Sequence, residues 1–367
     1  MSCCLLSAMT PDEMDLVLRR LVAMGAPKDF VLLCLLCAFL AQGAFRGKHT
    51  WQVLEFFSGK ARLSRLAAKC GYPVASFDLE NDKGFNNRKK TSKHTFPHRS
   101  YMDFNGESGF ALSVLLLFQS AFGRAVVWMA PVCSTWISIN VGTSGRSVIC
   151  PGGFLSFLQN RKANKSAARI GLLALLIAAM DSTFVIEQPA SSLFFHYMYV
   201  RAAFQILARV GNKLWKTMMW MQLMGGPCPK RTILVSNSCR VNRLQTGRLV
   251  RAMQRTTVAT TVRYRNANGK LRYKGSKKLK STQQYPARFA RHVVQTVRSM
   301  QRDSSPWNLP VPTEELHDVI FACPCTTWSV AEIKDSVRYL RGAKDLEIPP
   351  EFRPLFPDEM WEGFDPV

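Results

Sequence analysis

The sequence predicts an α/β fold, an open and mostly parallel sheet with helices on both faces, and three observations carry that expectation. First, Val53–Glu80 reads as strand, glycine turn, helix and strand, the crossover unit of a sheet that holds nucleotide-like ligands. Second, short apolar runs at Ala125–Met129 and Thr183–Ile186 alternate with longer ones at Phe110–Phe122 and Ser166–Met180, which separates strand from helix by length. Third, only eight acidic residues lie between positions 51 and 239, and Glu55, Asp78, Glu80, Asp103 and Glu187 fall in or at the ends of expected strands. Carboxylates scattered over a surface would not be placed this way. A chain of 367 residues with 47% apolar content buries a sizeable core, as one large domain with appendages or as two domains.

Residues 1–50 are read as a helical N-terminal extension. Its helices are expected over Asp12–Met24, entered at Thr10-Pro11, and over Phe30–Gln42, with Gly25-Ala26-Pro27 between them. Val53–Phe57 is apolar with one carboxylate, too short for a helix and bounded by Ser58-Gly59, so a buried parallel strand is expected. In the helix that follows, Leu63, Leu66, Ala67 and Cys70 form one stripe, Arg62, Arg65 and Lys69 take the wet face, and Gly71 is the stop. Pro73–Phe77 is the next strand. It delivers Asp78 and Glu80 about 20 positions beyond the turn, where a carboxylate accepts from ribose hydroxyls. A lone glycine followed by Lys60-Ala61 argues against a dinucleotide. Asn81–Arg99, with Lys83, Arg88, Lys89, Lys90, Lys93 and Arg99, is expected to be a loop, either a solvated face or a nucleic-acid contact. Asp103 should end a short strand, and Phe110–Phe122 should form a helix closed by Gly123. The strand Ala125–Met129 leads into A-P-V-C-S-T-W, and Thr183–Ile186 into Glu187-Gln188-Pro189. Both loops are therefore expected on the sheet edge that carries Gly59 and Asp78.

Charge narrows the function. The net charge of +24 and a pI near 9.9 imply a polyanionic partner. Segment 1–50 carries +1, 51–239 carries +14, 240–302 carries +17 with no acid at all, and 303–367 carries −8. The eleven cysteines show no repeated C-x-x-C pair with histidines, so no metal site is expected; Cys34 and Cys37 lie within an apolar helix and read as core. Cys323-Pro-Cys325 has no reading. The uncharged run Phe30–Phe45 is short for a membrane span and has no basic lead, so an intracellular protein is expected, nuclear rather than cytoplasmic given its charge.

The landmarks in order are a glycine turn after the first strand, an acid after the second, Pro131-Val132-Cys133, Glu187-Gln188-Pro189, and Gly225–Asn237 with Lys230 and Arg231 in its basic places. This order resembles the cytosine-5 DNA methyltransferase family over roughly Val53–Asn237, about half of the chain. The resemblance implies a Rossmann-like class I methyltransferase sheet and S-adenosyl-L-methionine as cofactor, held by Glu55, Phe57, Ser58, Gly59, Asp78, Asp103 and Pro131, with Phe57 on the adenine. It also implies Cys133 as the nucleophile and Glu187 as the group that holds a flipped cytosine. Arg231 is a candidate support. The chain departs from the family pattern at Val132, at Gln188, in the missing glutamine of the later loop, and in the reduced turn Phe57-Ser58-Gly59-Lys60-Ala61.

Those residue types suit the chemistry. Cytosine C5 is not nucleophilic until a thiolate adds at C6, and a carboxylate that binds the exocyclic amine and shares a proton with N3 stabilises the charge that develops. A free thiol has a pKa near 8.5, and a site rich in Lys and Arg is expected to lower that of Cys133 toward neutrality. Cys133 also reads as a small buried residue at a strand corner, and Trp136 reads as a base-stacking platform or as core. Inactive nucleic-acid-binding and exocyclic-amine methyltransferase readings stay open.

Arg240–Arg302 is read as a nucleic-acid-binding segment. Thr256–Arg265 and Lys270–Lys274 form a hairpin about N-A-N-G, and Tyr285–Met300 a closing helix. Arg263, Arg265, Lys270, Arg272, Lys274, Lys277, Lys278 and Lys280 are the expected phosphate contacts, with DNA favoured over RNA as partner. Residues 303–367 form an acidic tail containing Pro and Trp, expected to lie on the basic face or to bind a partner.

Overall fold

The computed structural model describes residues 9–43, 50–81, 101–254, 258, 261–301, 307 and 310–314. The expectations for Lys83–Arg99, for Thr256 and Thr257 in the hairpin, for Cys323 and Cys325, and for nearly all of the acidic tail lie outside these residues.

The centre of the fold is a six-stranded sheet in the order β2-β1-β3-β4-β6-β5. Its strands are β1 (Val53–Phe56), β2 (Val74–Phe77), β3 (Val126–Met129), β4 (Thr183–Pro189), β5 (Trp215–Trp220) and β6 (Arg231–Ser236). β2, β1, β3 and β4 run parallel, while β6 is antiparallel to both β4 and β5. The helices are α1 (Pro11–Ala23), α2 (Lys28–Gln42), α3 (Arg62–Lys69), α4 (Glu107–Phe118), α5 (Leu158–Ala179), α6 (Met198–Arg209) and α7 (Ala287–Met300). This is a Rossmann-like α/β sandwich.

Strand periodicity divides the core into two layers. Leu54, Phe56, Val127, Met129, Phe184 and Ile186 face a layer built from α1, α2, α4, α5 and α6. Val53, Val126, Trp128, Val185 and Leu234 face a second layer with Leu63 and Ala67 of α3 and Phe289, Val293 and Val297 of α7. Strands buried on both faces explain why their sequences are continuous apolar runs rather than alternating ones.

The N-terminal helices pack on the outer helices, not on the sheet itself. Phe30 stacks on Phe110 of α4 at 6.2 Å, and Arg20 pairs with Asp181 at 2.7 Å while donating to the Ala179 carbonyl at the end of α5. Phe30, Val31 and Leu33 are fully buried, which contributes about 1.5–3 kcal/mol each. α1 begins with a capping box in which the Thr10 hydroxyl accepts from Glu13 N and the Glu13 carboxylate accepts from Thr10 N, with Pro11 as its first residue. Cys34 and Cys37 are fully buried in α2, where desolvation pushes both thiols upward.

Several boundaries differ from expectation. No strand ends at Asp103; its carboxylate instead accepts from Asn105 N at 2.9 Å and its carbonyl from Gly106 N, which folds the chain into a turn before α4. Gly109 is required there, since a Cβ would stand 1.9 Å from the Asp103 carbonyl oxygen. α4 stops at Phe118 rather than Phe122, because Trp51 exchanges backbone hydrogen bonds with Gln119 and Ala121 and draws the chain out of the helix. α5 starts earlier than Ser166. Cys70 is exposed past the end of α3, and the inward place belongs to Ser64.

A hairpin of β7 (Thr261–Arg265) and β8 (Leu271–Gly275) stands apart as its own two-stranded sheet. Its turn closes by Gly269 N donating to the Asn266 carbonyl and Lys270 N to the Asn266 side chain, with Gly269 at φ 72°. Arg263, Arg265, Lys270 and Lys278 are exposed; the side chains of Arg272, Lys274, Lys277 and Lys280 lie outside the described residues. Among the described residues no helix is long and apolar enough to cross a membrane, and no three His, Cys, Asp or Glu side chains gather as metal ligands.

Candidate active site

The carboxyl ends of β1, β2, β3 and β4 bring the glycine turn, Asp78, Cys133 and Glu187 to one edge of the sheet. The turn is strained. Phe57 at φ 61° and Ala61 at φ 47° are both left-handed without being glycine, on either side of Gly59 at φ 52°. Asp78 braces it, its Oδ2 accepting from Gly59 N at 2.8 Å and its Oδ1 from Glu80 N at 2.8 Å. The Ser58 hydroxyl accepts from Asn81 Nδ2, and the Phe57 ring meets Phe104 edge-on at 4.9 Å, beside the Asp103 turn.

Glu55 has a different place from the one expected. It is buried, and its Oε2 accepts from Ser64 N at 2.8 Å and from Ser64 Oγ at 2.6 Å, which caps the first turn of α3. Ala61, at the cap position, offers no side-chain acceptor, so the strand carboxylate supplies it. Burial pushes the Glu55 carboxyl above its ordinary range, against the Ser64 hydrogen bonds, and Oε1 has no hydrogen-bond partner among the described residues.

The cysteine loop follows β3. The Pro131 carbonyl accepts from Gln188 Nε2 at 2.8 Å, and Gln188 Oε1 accepts from Ser192 Oγ at 2.7 Å, so Gln188 ties the glutamate loop to the cysteine loop. Val132 is 67% exposed and Cys133 is half-buried behind it. Trp136 is not a stacking platform. It is buried against Phe194 and Tyr197, with the Arg146 guanidinium 3.5 Å from its ring centre.

Glu187 is almost fully buried between two partners, Lys230 Nζ donating to Oε1 at 3.2 Å and the Tyr285 hydroxyl to Oε2 at 3.4 Å. The Tyr285 hydroxyl in turn accepts from Trp128 Nε1 at 2.8 Å. The expected support, Arg231, faces the other way: it is exposed, donates to Met218 Sδ at 2.8 Å and lies over Trp220. Neighbouring residues of an extended chain point to opposite sides, so Lys230 reaches Glu187 and Arg231 cannot. Tyr285 was expected as one of the aromatics interleaved with the basic residues of a nucleic-acid-binding segment and as the start of a closing helix. Nothing in local periodicity shows that it returns to the sheet.

The electrostatics correct a second expectation. The Cys133 thiol is raised, not lowered: burial dominates, Lys230 pulls it down, and Glu187 pushes it up again. Burial alone would lower Lys230, but Glu187, with Cys133 and Cys228, raises it, so the ammonium stays charged between the carboxylate and the thiol. Cys133 alkylation, followed by mass spectrometry of its peptide, should therefore rise with pH above the range of an ordinary thiol. Lys230→Ala should move the profile further up and Glu187→Gln down; a Cys133 profile unchanged by both would show that these charges do not reach the sulfur. Beside Lys230 and Tyr285, with Cys228, Met221 and Thr282, the cavity is narrow, about 10 Å³, room for one water.

No protein-family model matches the sequence, and no curated protein sequence matches it significantly. Among solved structures the chain is similar to the methyltransferase EhMeth of Entamoeba histolytica, at 14% identity and a TM-score of 0.29, over 52% of this chain and 53% of that one. It is also similar to the Dnmt2 methyltransferase of S. pombe, at 12% identity and a TM-score of 0.26, over 57% and 51% respectively. The chain spans about half the length of each.

Proposed function

We propose that this protein is an S-adenosylmethionine-dependent methyltransferase that modifies cytosine in nucleic acid through Cys133. The observation that carries the reading is the cluster of Cys133 in the loop after β3, Lys230 just before β6 and Glu187 near the end of β4, with the ammonium 3.2 Å from the carboxylate and in the field of the thiol. Lys230 stabilises the thiolate once its proton leaves, and the thiolate adds to C6 of the base. Glu187 accepts from the exocyclic amine and shares a proton with N3, while Tyr285 holds its second oxygen. Once C5 carries the transferred methyl group, loss of the C5 proton to solvent and cleavage of the carbon–sulfur bond would restore the thiolate.

The turn fits the cofactor. Each Asp78 oxygen accepts one backbone N–H, which leaves lone pairs for two ribose hydroxyls, and the unpartnered Glu55 Oε1 lies behind the same turn. Phe57, Ser58 and Gly59 would line that site and Asp103 and Pro131 flank it. The cofactor supplies an electrophilic methyl group when bound.

Two observations favour a second reading, a methyltransferase-derived module that binds nucleic acid without catalysis: the raised thiol, and a Glu187 whose two oxygens already accept from Lys230 and Tyr285. Calorimetric titration with S-adenosylmethionine decides between them. Saturable binding that Asp78→Ala weakens at least tenfold is the expected result, and no heat at millimolar cofactor would leave the binding module.

A further inference from the structure

On the far face of β6 lies a larger cleft, of about 800 Å³, lined by Lys216, Met218, Trp220, Arg231, Gln245 and Arg248 among others. We propose that this cleft binds single-stranded nucleic acid, with Lys216, Arg231 and Arg248 on its phosphates and Trp220 and Met218 against its bases. Its volume suits a nucleotide-sized occupant. The charge is one-sided for a structural reason: the whole wall comes from a stretch of chain with no acidic residue between Glu187 and Asp303, and among the described residues no carboxylate pairs with the three cations. Lys216, Arg231 and Arg248 are all exposed at the cleft, and exposed Met218 with half-buried Trp220 gives it apolar surface. Cations interleaved with flat or soft apolar groups are what a single strand needs, since phosphates and unpaired base faces are presented together. A duplex hides its base faces.

The cleft lies back to back with the candidate active site. Arg231 opposes Trp220 in the β5–β6 pair and lines the cleft, while its neighbour Lys230 turns to Glu187 on the other side of the chain. The Trp220 backbone N–H donates to the Thr246 hydroxyl at 2.8 Å, which holds the strand end that presents the ring. The inference rests on the nucleic-acid part of the proposed function and not on methyl transfer.

The test is fluorescence anisotropy of the full chain with a labelled 20-nucleotide single strand and with the duplex of the same sequence, over a salt series. Lys216→Ala/Arg248→Ala should reduce the slope of log K against log salt for the single strand by about 1.4, two phosphates at ~0.7 each. Trp220→Leu should weaken single-strand binding roughly 5- to 150-fold, with Trp220→Phe retaining most of it. Duplex binding should change less than threefold in all three variants. Unchanged single-strand affinity and slope in the double variant would overturn the proposal, as would a duplex loss equal to or greater than the single-strand loss. Lys277→Ala/Lys278→Ala/Lys280→Ala, measured in parallel, reports on the hairpin segment alone, so failure of that segment and failure of the cleft are read separately.

Discussion

Replacing Cys133 with serine should remove methyl transfer altogether while leaving nucleic-acid affinity within twofold. A serine hydroxyl in this buried position has no base to ionise it: the nearest charged groups are Lys230, which is protonated, and Glu187, whose oxygens accept from Lys230 and Tyr285. The thiol, by contrast, is intrinsically far more acidic than a hydroxyl, and Lys230 offsets part of the burial that raises it. Transfer of a labelled methyl group to a cytosine-containing oligonucleotide is the measurement, with trapping of a covalent complex on 5-fluorocytosine as its companion. Full activity in Cys133→Ser would exclude a covalent thiolate step and move the protein to exocyclic-amine chemistry.

Arg146→Ala should cost about 3–5 kcal/mol of stability, the sum of two or three buried acceptors left unpaired. Arg146 is fully buried and reaches Asn164 Oδ1 at 2.8 Å, Thr135 Oγ1 at 3.1 Å and the Pro151 carbonyl, with its guanidinium on the Trp136 ring. No carboxylate neutralises it in these contacts, and burial lowers its pKa to about 10. Thr135 and Trp136 lie two and three residues after Cys133, so the loss falls on the loop that carries the nucleophile. Denaturant unfolding would show the lower midpoint, and Arg146→Lys should recover only a part of it, since an ammonium cannot span the same acceptors. A loss under 1 kcal/mol would mean that the loop is held by its backbone alone.

Most elements of the fold were legible in the sequence because their signals are local. Apolar runs of four or five residues, set against longer apolar stretches, marked β1, β2, β3 and β4 and the helices between them. Asn266–Gly269 marked the hairpin turn, and Thr10-Pro11 the start of α1. The misplaced strand at Asp103 had a local signal against it in Asn105-Gly106, and the turn there also depends on a glycine six residues later, against which the backbone folds. The end of α4 at Phe118 was hidden for the same kind of reason, since Trp51 competes for its carbonyls from another part of the chain.

While Glu187-Gln188-Pro189, expected as a loop, continues β4, the sequence alone determined the strand order along the chain, the loop that carries Cys133, and the acid-free basic stretch. These follow from residue type and spacing, which act over a few positions. Only the tertiary structure decided that Lys230 and not Arg231 meets Glu187, that Tyr285 returns to the sheet from 98 residues away, that Glu55 caps α3, and that the Cys133 thiol is raised instead of lowered. Each of these depends on which groups are removed from water together. Desolvation and pairing are set by packing between distant segments, and no periodicity within a segment encodes them.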